Sequence, residues 1–168
     1  RIKQALTALG AELSRRGVRG EIFIVGGAAM ALAFSTRRVT KDIDAVFEPK
    51  GAIYEAAEQV ARQLELPQGW LNDAVKAFLP GRDERALALS GIDGIEITTA
   101  SAEYLLAMKL MAMRFGEDDE DIELLLDQCR LRSAGEALAL VRRLYPRHDP
   151  PLKTRLFLQE LLGGGQDA

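Results

Sequence analysis

The chain has 168 residues, 48% of them hydrophobic and 28% charged, with a formal net charge of −3 at neutral pH. That balance excludes a disordered segment and a generic polyanion binder, and the length suits one ordinary domain or a small catalytic domain with a helical appendage. A single histidine, set among prolines at His148, and a single cysteine, Cys129, exclude chemistry that needs a histidine pair or triad and any internal disulfide.

No apolar run approaches the roughly 18 residues of a membrane span, and the N-terminus carries no secretory pattern. The expectation is a cytoplasmic protein with no membrane partner, in which Cys129 is a small buried hydrophobe in a reducing compartment.

Taken in order, Ile2, Ala5, Leu6, Leu9 and Leu13 recur at helical spacing and predict an amphipathic helix over residues 2–16, ended by Gly17 and Gly20 and covering one face of a sheet. Arg15 and Arg16 in its last turn suit the helix dipole. Glu21-Ile-Phe-Ile-Val25 then predicts a strand, Gly26-Gly27 a turn, and Ala28 to Phe34 a helix of small and apolar residues. A second short strand follows with Asp42-Ile43-Asp44.

Side chains alternate across a strand, so Asp42 and Asp44 are expected on one face, about 6.5 to 7 Å apart along the chain, with Ile43 turned to the core. At that distance two negative charges repel by roughly 2 to 3 kcal/mol at an effective dielectric near 20. A divalent cation reverses the sign of that term, and hard carboxylate oxygens suit Mg2+ or Mn2+. The Gly26-Gly27 pair lets the backbone approach a ligand closely, and the free amides of the following helix offer a phosphate site. Phosphate on one side and metal on the other describe a nucleoside triphosphate held for in-line transfer.

Beyond this unit, Pro49 and Gly51 break the chain, and a helix is expected over residues 52–64, before Pro67. Residues 67–73 read as irregular, with Trp70 a core anchor, and Gly81 to Arg85 as a polar connection. Two strands, 86–90 and 94–98, are joined around Gly91-Ile-Asp-Gly94. On the second, Ile95 and Ile97 share a face and Glu96 takes the other, either as a solvated surface acid or as a third carboxylate of the site.

Ser101 or Thr99 caps a helix over 102–115, in which Lys109 stands among apolar neighbours and either snorkels to water or reaches a fixed anion. Asp118 and Asp119 can cap the next helix, 120–129. Ser133-Ala-Gly-Glu136 is a capping box opening a helix to about 145, and Asp149-Pro150 opens a last one to about Leu162. Residues 163–168 read as a flexible tail.

Gly26-Gly27 followed by Asp42-Ile43-Asp44 resembles the signature of the DNA polymerase β nucleotidyltransferase superfamily. The fuller Arg38-x-Thr40-x-Asp42-Ile43-Asp44, with Lys109-Leu-x-Ala-x-Arg114 and Asp121-Ile122 downstream, is similar to its minimal branch that includes the AbiEii-like toxins of toxin–antitoxin systems.

The resemblance implies an α+β fold: a small mixed β-sheet nucleotidyltransferase core, residues 1–99, flanked by helices, and a C-terminal helical bundle, residues 100–162, that completes a nucleotide cleft. It implies a metal-dependent enzyme moving a nucleoside monophosphate from a nucleoside triphosphate to an acceptor hydroxyl. Asp42 and Asp44 would hold Mg2+ or Mn2+, with Glu96 helping to deprotonate the acceptor. Gly26, Gly27, Arg38, Thr40, Lys109 and Asp121 would form the nucleotide pocket. The toxin branch implies RNA, the end of transfer RNA, as acceptor and a cognate antitoxin protein as partner. A small-molecule acceptor, as in antibiotic nucleotidyltransferases, and a non-catalytic fold member that binds protein are the alternatives.

Overall fold

The computed structural model describes residues 1–34, 40, 42–114 and 116–163. The fold is α+β. Its five-stranded mixed sheet runs in the order β3-β2-β1-β5-β4, formed by β1 (Gly20–Val25), β2 (Ile43–Glu48), β3 (Leu71–Asn72), β4 (Leu87–Leu89) and β5 (Ile95–Thr99). β1 pairs antiparallel with β2 and parallel with β5, while β2 pairs parallel with β3 and β4 antiparallel with β5.

The helices are α1 (Ile2–Arg15), α2 (Gly26–Phe34), α3 (Lys50–Leu64), α4 (Ala102–Ala112), α5 (Asp119–Gln128), α6 (Ala134–Leu144) and α7 (Leu152–Leu161). The chain divides into two compact units, one of residues 1–77 with 85–100, the other of residues 78–84 with 101–168.

In the sheet unit, strand alternation separates two faces. Ile22 and Ile24 of β1, Ile43, Ala45 and Phe47 of β2, and Ile95 and Ile97 of β5 are all buried. Gly20, on that same face, is so closely approached that a Cβ there would meet Leu13 of α1 at 3.0 Å and Ile53 of α3 at 3.2 Å. The stripe Ala5, Leu6, Leu9 and Leu13 of α1 and the stripe Ile53, Ala56, Ala57 and Val60 of α3 thus close the core over this face. Each large aliphatic side chain so buried contributes about 1.5 to 3 kcal/mol before the entropy of ordering it.

Charge is handled locally. Glu12, buried on α1, accepts from Arg15 at 2.6 Å and Arg16 at 2.8 Å, so these arginines neutralise a carboxylate as well as suiting the helix end.

The other unit is helical. Ser101 caps α4 by accepting from the Tyr104 N–H, and Ser133 caps α6 by accepting from the Glu136 N–H. Thr154 of α7, fully buried, donates to the Leu110 carbonyl of α4 at 2.6 Å.

Several elements differ from expectation: the helix expected over 102–115 ends at Ala112, and a 3-10 helix forms at Ala74–Phe78. Residues 67–73, expected irregular, contain strand β3, formed because the edge of β2 supplies a partner: Ile43 and Asp44 stand level with Leu71 and Asn72. Within the same stretch Trp70 is a core anchor, 3% exposed, its indole donating to the Ala57 carbonyl at 2.9 Å. The last helix begins at Leu152 with Pro151 in the capping position, two residues beyond the expected Asp149 cap. Consecutive prolines at 150 and 151 bias the residues before them to extended backbone, which keeps Asp149 outside the helix.

The approach of α1 to the β4–β5 turn gives a direct test. A Cβ at Gly10 would collide with the Asp93 carbonyl oxygen and meet Ile95 Cγ2 at 3.3 Å. Alanine inside a helix ordinarily gains about 1 kcal/mol over glycine. Here overpacking against a backbone atom that cannot rotate away costs roughly 1 to 3 kcal/mol and more than cancels the gain. Gly10→Ala is expected to lower the unfolding free energy measured in urea.

Candidate functional site

The turn that ends β1 is built on a glycine that no other residue replaces cheaply. Gly26 has φ +66°, a left-handed backbone that L side chains rarely adopt, and it starts α2 directly. The antiparallel register sets Val25 opposite Asp44. The Asp44 carboxylate therefore lies beside the turn: a Cβ at Gly26 would come within 3.3 Å of Asp44 Oδ2. Asp44 is half-buried, as the second residue of β2.

Thr40 stands on the other side of the turn, and a Cβ at Gly27 would collide with its Cγ2. Thr40 Oγ1 is buried and, among the described residues, has no hydrogen-bond partner. An orphaned hydroxyl beside a glycine cradle is costly in a closed interior and is satisfied by any ligand oxygen that enters.

Asp42 occupies an exposed bend just before β2 and does not share the strand with Asp44. Strand pairing begins only at Ile43, whose N–H donates to the Trp70 carbonyl at 2.6 Å. Arg38 lies outside the described residues.

Glu96 is not brought to this end of the sheet. The parallel register places it level with Glu21, whereas Asp44 is level with Val25, four residues further along β1. Glu48 is opposite Glu21 in turn, so Glu48, Glu21 and Glu96 form an exposed lateral row across three strands. At about 3.3 Å per residue the row stands roughly 13 Å from the Asp44 position. No group of three His, Cys, Asp or Glu side chains suited to a metal ion occurs among the described residues.

The strand residue level with Asp44 on its other side is Asn72. Sequence reasoning passed over it, since a two-residue strand carries no periodicity. The next residue, Asp73, is clamped by the Tyr54 hydroxyl at 2.6 Å and Lys50 Nζ at 2.9 Å. The hydrogen bond from Tyr54, then the Lys50 partner, holds the Asp73 carboxyl below its ordinary value against a smaller effect of burial.

The helical unit gathers the downstream residues into one network. Lys109 of α4 pairs with Asp118 and Asp121, each at 3.1 Å. Asp118 is 2% exposed and also accepts from the Arg114 backbone N–H at 3.0 Å and its guanidinium at 3.1 Å. Asp118 stands at the N-cap position of α5, but its side chain makes no capping bond, because Lys109 and Arg114 take it. The Lys109 ammonium does not snorkel to water: it is largely buried and paired with two carboxylates of its own unit. With three donors, an ammonium can keep both partners and still meet a phosphate oxygen.

Burial alone would raise the Asp118 carboxyl, but the Arg114 hydrogen bond and the Lys109 charge outweigh it and hold the group below its ordinary value.

A family model described as "Nucleotidyltransferase of unknown function (DUF6036)" matches residues 4–133. No curated protein and no solved structure matches the chain.

Three measurements test this geometry. Lys109→Ala removes the ammonium that the buried Asp118 and Asp121 share, leaves Asp118 to Arg114, and is expected to cost about 3 kcal/mol in denaturant unfolding. A depressed carboxyl stabilises fully above its unfolded value, near 4, and loses that contribution as pH falls through the folded value. The stability gap between the wild type and Asp118→Asn, followed by helical circular dichroism, is therefore expected to be flat from neutrality to about pH 4 and to close below it. Relief of the glutamate row by Glu21→Thr is expected to raise stability by roughly 0.5 kcal/mol, the gain shrinking in high salt.

Proposed function

The chain belongs to this family of nucleotidyltransferases, and on that premise we propose that it transfers a nucleoside monophosphate from a nucleoside triphosphate to an acceptor hydroxyl, at the turn where β1 meets α2. The observation that carries the reading is the Asp44 carboxylate set against the Gly26–Gly27 turn. A backbone stripped of side chains, opening a helix, offers amide donors to phosphate, and a carboxylate beside it would repel that phosphate unless a cation lies between them.

The donor set fits such a cation. Magnesium is held through one or two carboxylates completed by substrate phosphates, not by an all-protein cage. Asp44, with Asp42 at the neighbouring bend, would hold Mg2+ or Mn2+. Bound there, the ion supplies charge neutralisation and Lewis-acid polarisation of the phosphoryl oxygens.

The chain's own residues do the positioning. Gly26 and Gly27 admit the phosphates to the α2 amides, and the Thr40 hydroxyl donates to an oxygen that enters its pocket. Arg38 lies two residues before Thr40 in sequence and adds positive charge there in this reading. Glu96, a strand's length away, takes no part in deprotonating the acceptor.

RNA is the acceptor we propose, with a cognate antitoxin protein as partner. Support comes from the likeness of the Arg38-to-Asp44 segment and the Lys109-to-Ile122 segment to the AbiEii-like toxins.

Incubation with labelled nucleoside triphosphates, magnesium and either total RNA or aminoglycoside-type small molecules tests both parts. Label is expected in RNA, and Asp44→Asn is expected to lower its incorporation about 10²- to 10³-fold, as loss of a charge-stabilising group does, with an unchanged melting temperature. Label in the small molecules alone would replace the acceptor. Absence of magnesium-dependent nucleotide binding by the wild type would leave a protein that acts by binding alone.

A further inference from the structure

The geometry points to Asn72 as a third member of the site, donating a hydrogen bond from its amide to an oxygen of the nucleoside triphosphate beside Asp44. This rests on the nucleotide reading above and adds to it a residue outside the sequence signature.

The first observation is register. Asp44 and Asn72 are level partners of the parallel β2–β3 pair. Level residues of neighbouring strands project from the same face, and the strands lie about 4.8 Å apart. Asn72 thus stands on the Asp44 face, at the Asp44 end of the sheet, with Val25 the level partner of Asp44 on β1.

The second is orientation. Asn72 Oδ1 accepts the Ala74 backbone N–H at 3.3 Å. Only the oxygen of an amide can accept, so this bond fixes which end is which and leaves the NH2 group as the free end. Among the described residues no hydrogen bond from that NH2 group occurs, and Asn72 is half-buried, so its two donors are open to solvent or to a ligand.

The third is rigidity. A two-residue edge strand would ordinarily fray, but its flanks are fastened. Trp70 is anchored to the Ala57 carbonyl, and Asp73 is held by Tyr54 and Lys50 of α3. Asp73, the next residue, is drawn to α3, the helix that packs on the apolar face, and the alternation sends Asn72 the other way. Side chains clamped from behind in this way are suited to presenting a donor at a fixed place.

The chemistry follows from the residue type. A neutral amide cannot take a proton from an acceptor hydroxyl, so Asn72 is a binding residue and no general base. It supplies donors where Asp44 supplies only acceptors, and a phosphate oxygen drawn to the cation at Asp44 needs donors.

Titration calorimetry of the full chain with magnesium and non-hydrolysable analogues of ATP, GTP, CTP and UTP decides the matter. Asn72→Ala is expected to weaken the tightest analogue about tenfold, as loss of one bond to a charged oxygen does. Asn72→Asp is the discriminating variant, because it keeps the acceptor for the Ala74 N–H while removing both donors. It is expected to melt with the wild type and to bind more weakly. Unchanged binding by Asn72→Asp would show that the position only fastens its turn, and tighter binding would make it a latent cation ligand; either overturns the inference and leaves the nucleotide reading intact. A wild type that binds none of the four analogues sinks that reading, and this inference with it.

Discussion

Strand β1 reaches its last residue, Val25, opposite Asp44, and the chain then turns through a left-handed glycine into α2. One carboxylate and one helix start are thereby held at the same edge of the sheet. Every other feature of the site takes its place from that juxtaposition: Thr40 closes on Gly27, Asn72 arrives level with Asp44, and Glu96 is left at the opposite end. A register slip of one residue would turn Asp44 into the core and Ile43 into the site. The buried set Ile43, Ala45 and Phe47 against α3 is what forbids the slip.

The two faces of the sheet are asymmetric for an electrostatic reason. One is covered by α1 and α3 and carries apolar side chains, with the buried Thr99 at its end as the exception. Asp44, Glu48, Glu21 and Glu96 all project from the other, where repulsion is tolerable because Glu48, Glu21 and Glu96 are exposed to water. Asp44 differs from them in being half-buried beside backbone, with less solvent to screen it. A carboxylate in that position gains more from a cation than any of the solvated three, which makes Asp44 the candidate ligand and the glutamate row a surface.

The helical unit follows another logic. Lys109, Asp118, Asp121 and Arg114 sit where α4 gives way to α5, and their two positive and two negative charges cancel. Buried charge of one sign would be prohibitive there, whereas a hydrogen-bonded set of both signs fixes the geometry of the helix pair at modest cost. Their spacing along the chain, which resembles a nucleotide-binding motif, is also the spacing required to join two consecutive helices through one lysine.

Local chemistry made most of the elements legible in the sequence. Helical periodicity in α1 and α3, the Ser101 and Ser133 caps, and the alternation of Ile95, Glu96 and Ile97 each depend on neighbours a few residues away. So does the Gly26-Gly27 turn, whose backbone freedom belongs to the residue itself. Strand β3, the distance of Glu96 from Asp44, the place of Asn72 and the partners of Lys109 belong to tertiary structure alone. Each is set by which strand pairs with which, and in what register, or by how two helices meet, and contacts between residues far apart in the chain leave no period in the sequence from which to read them.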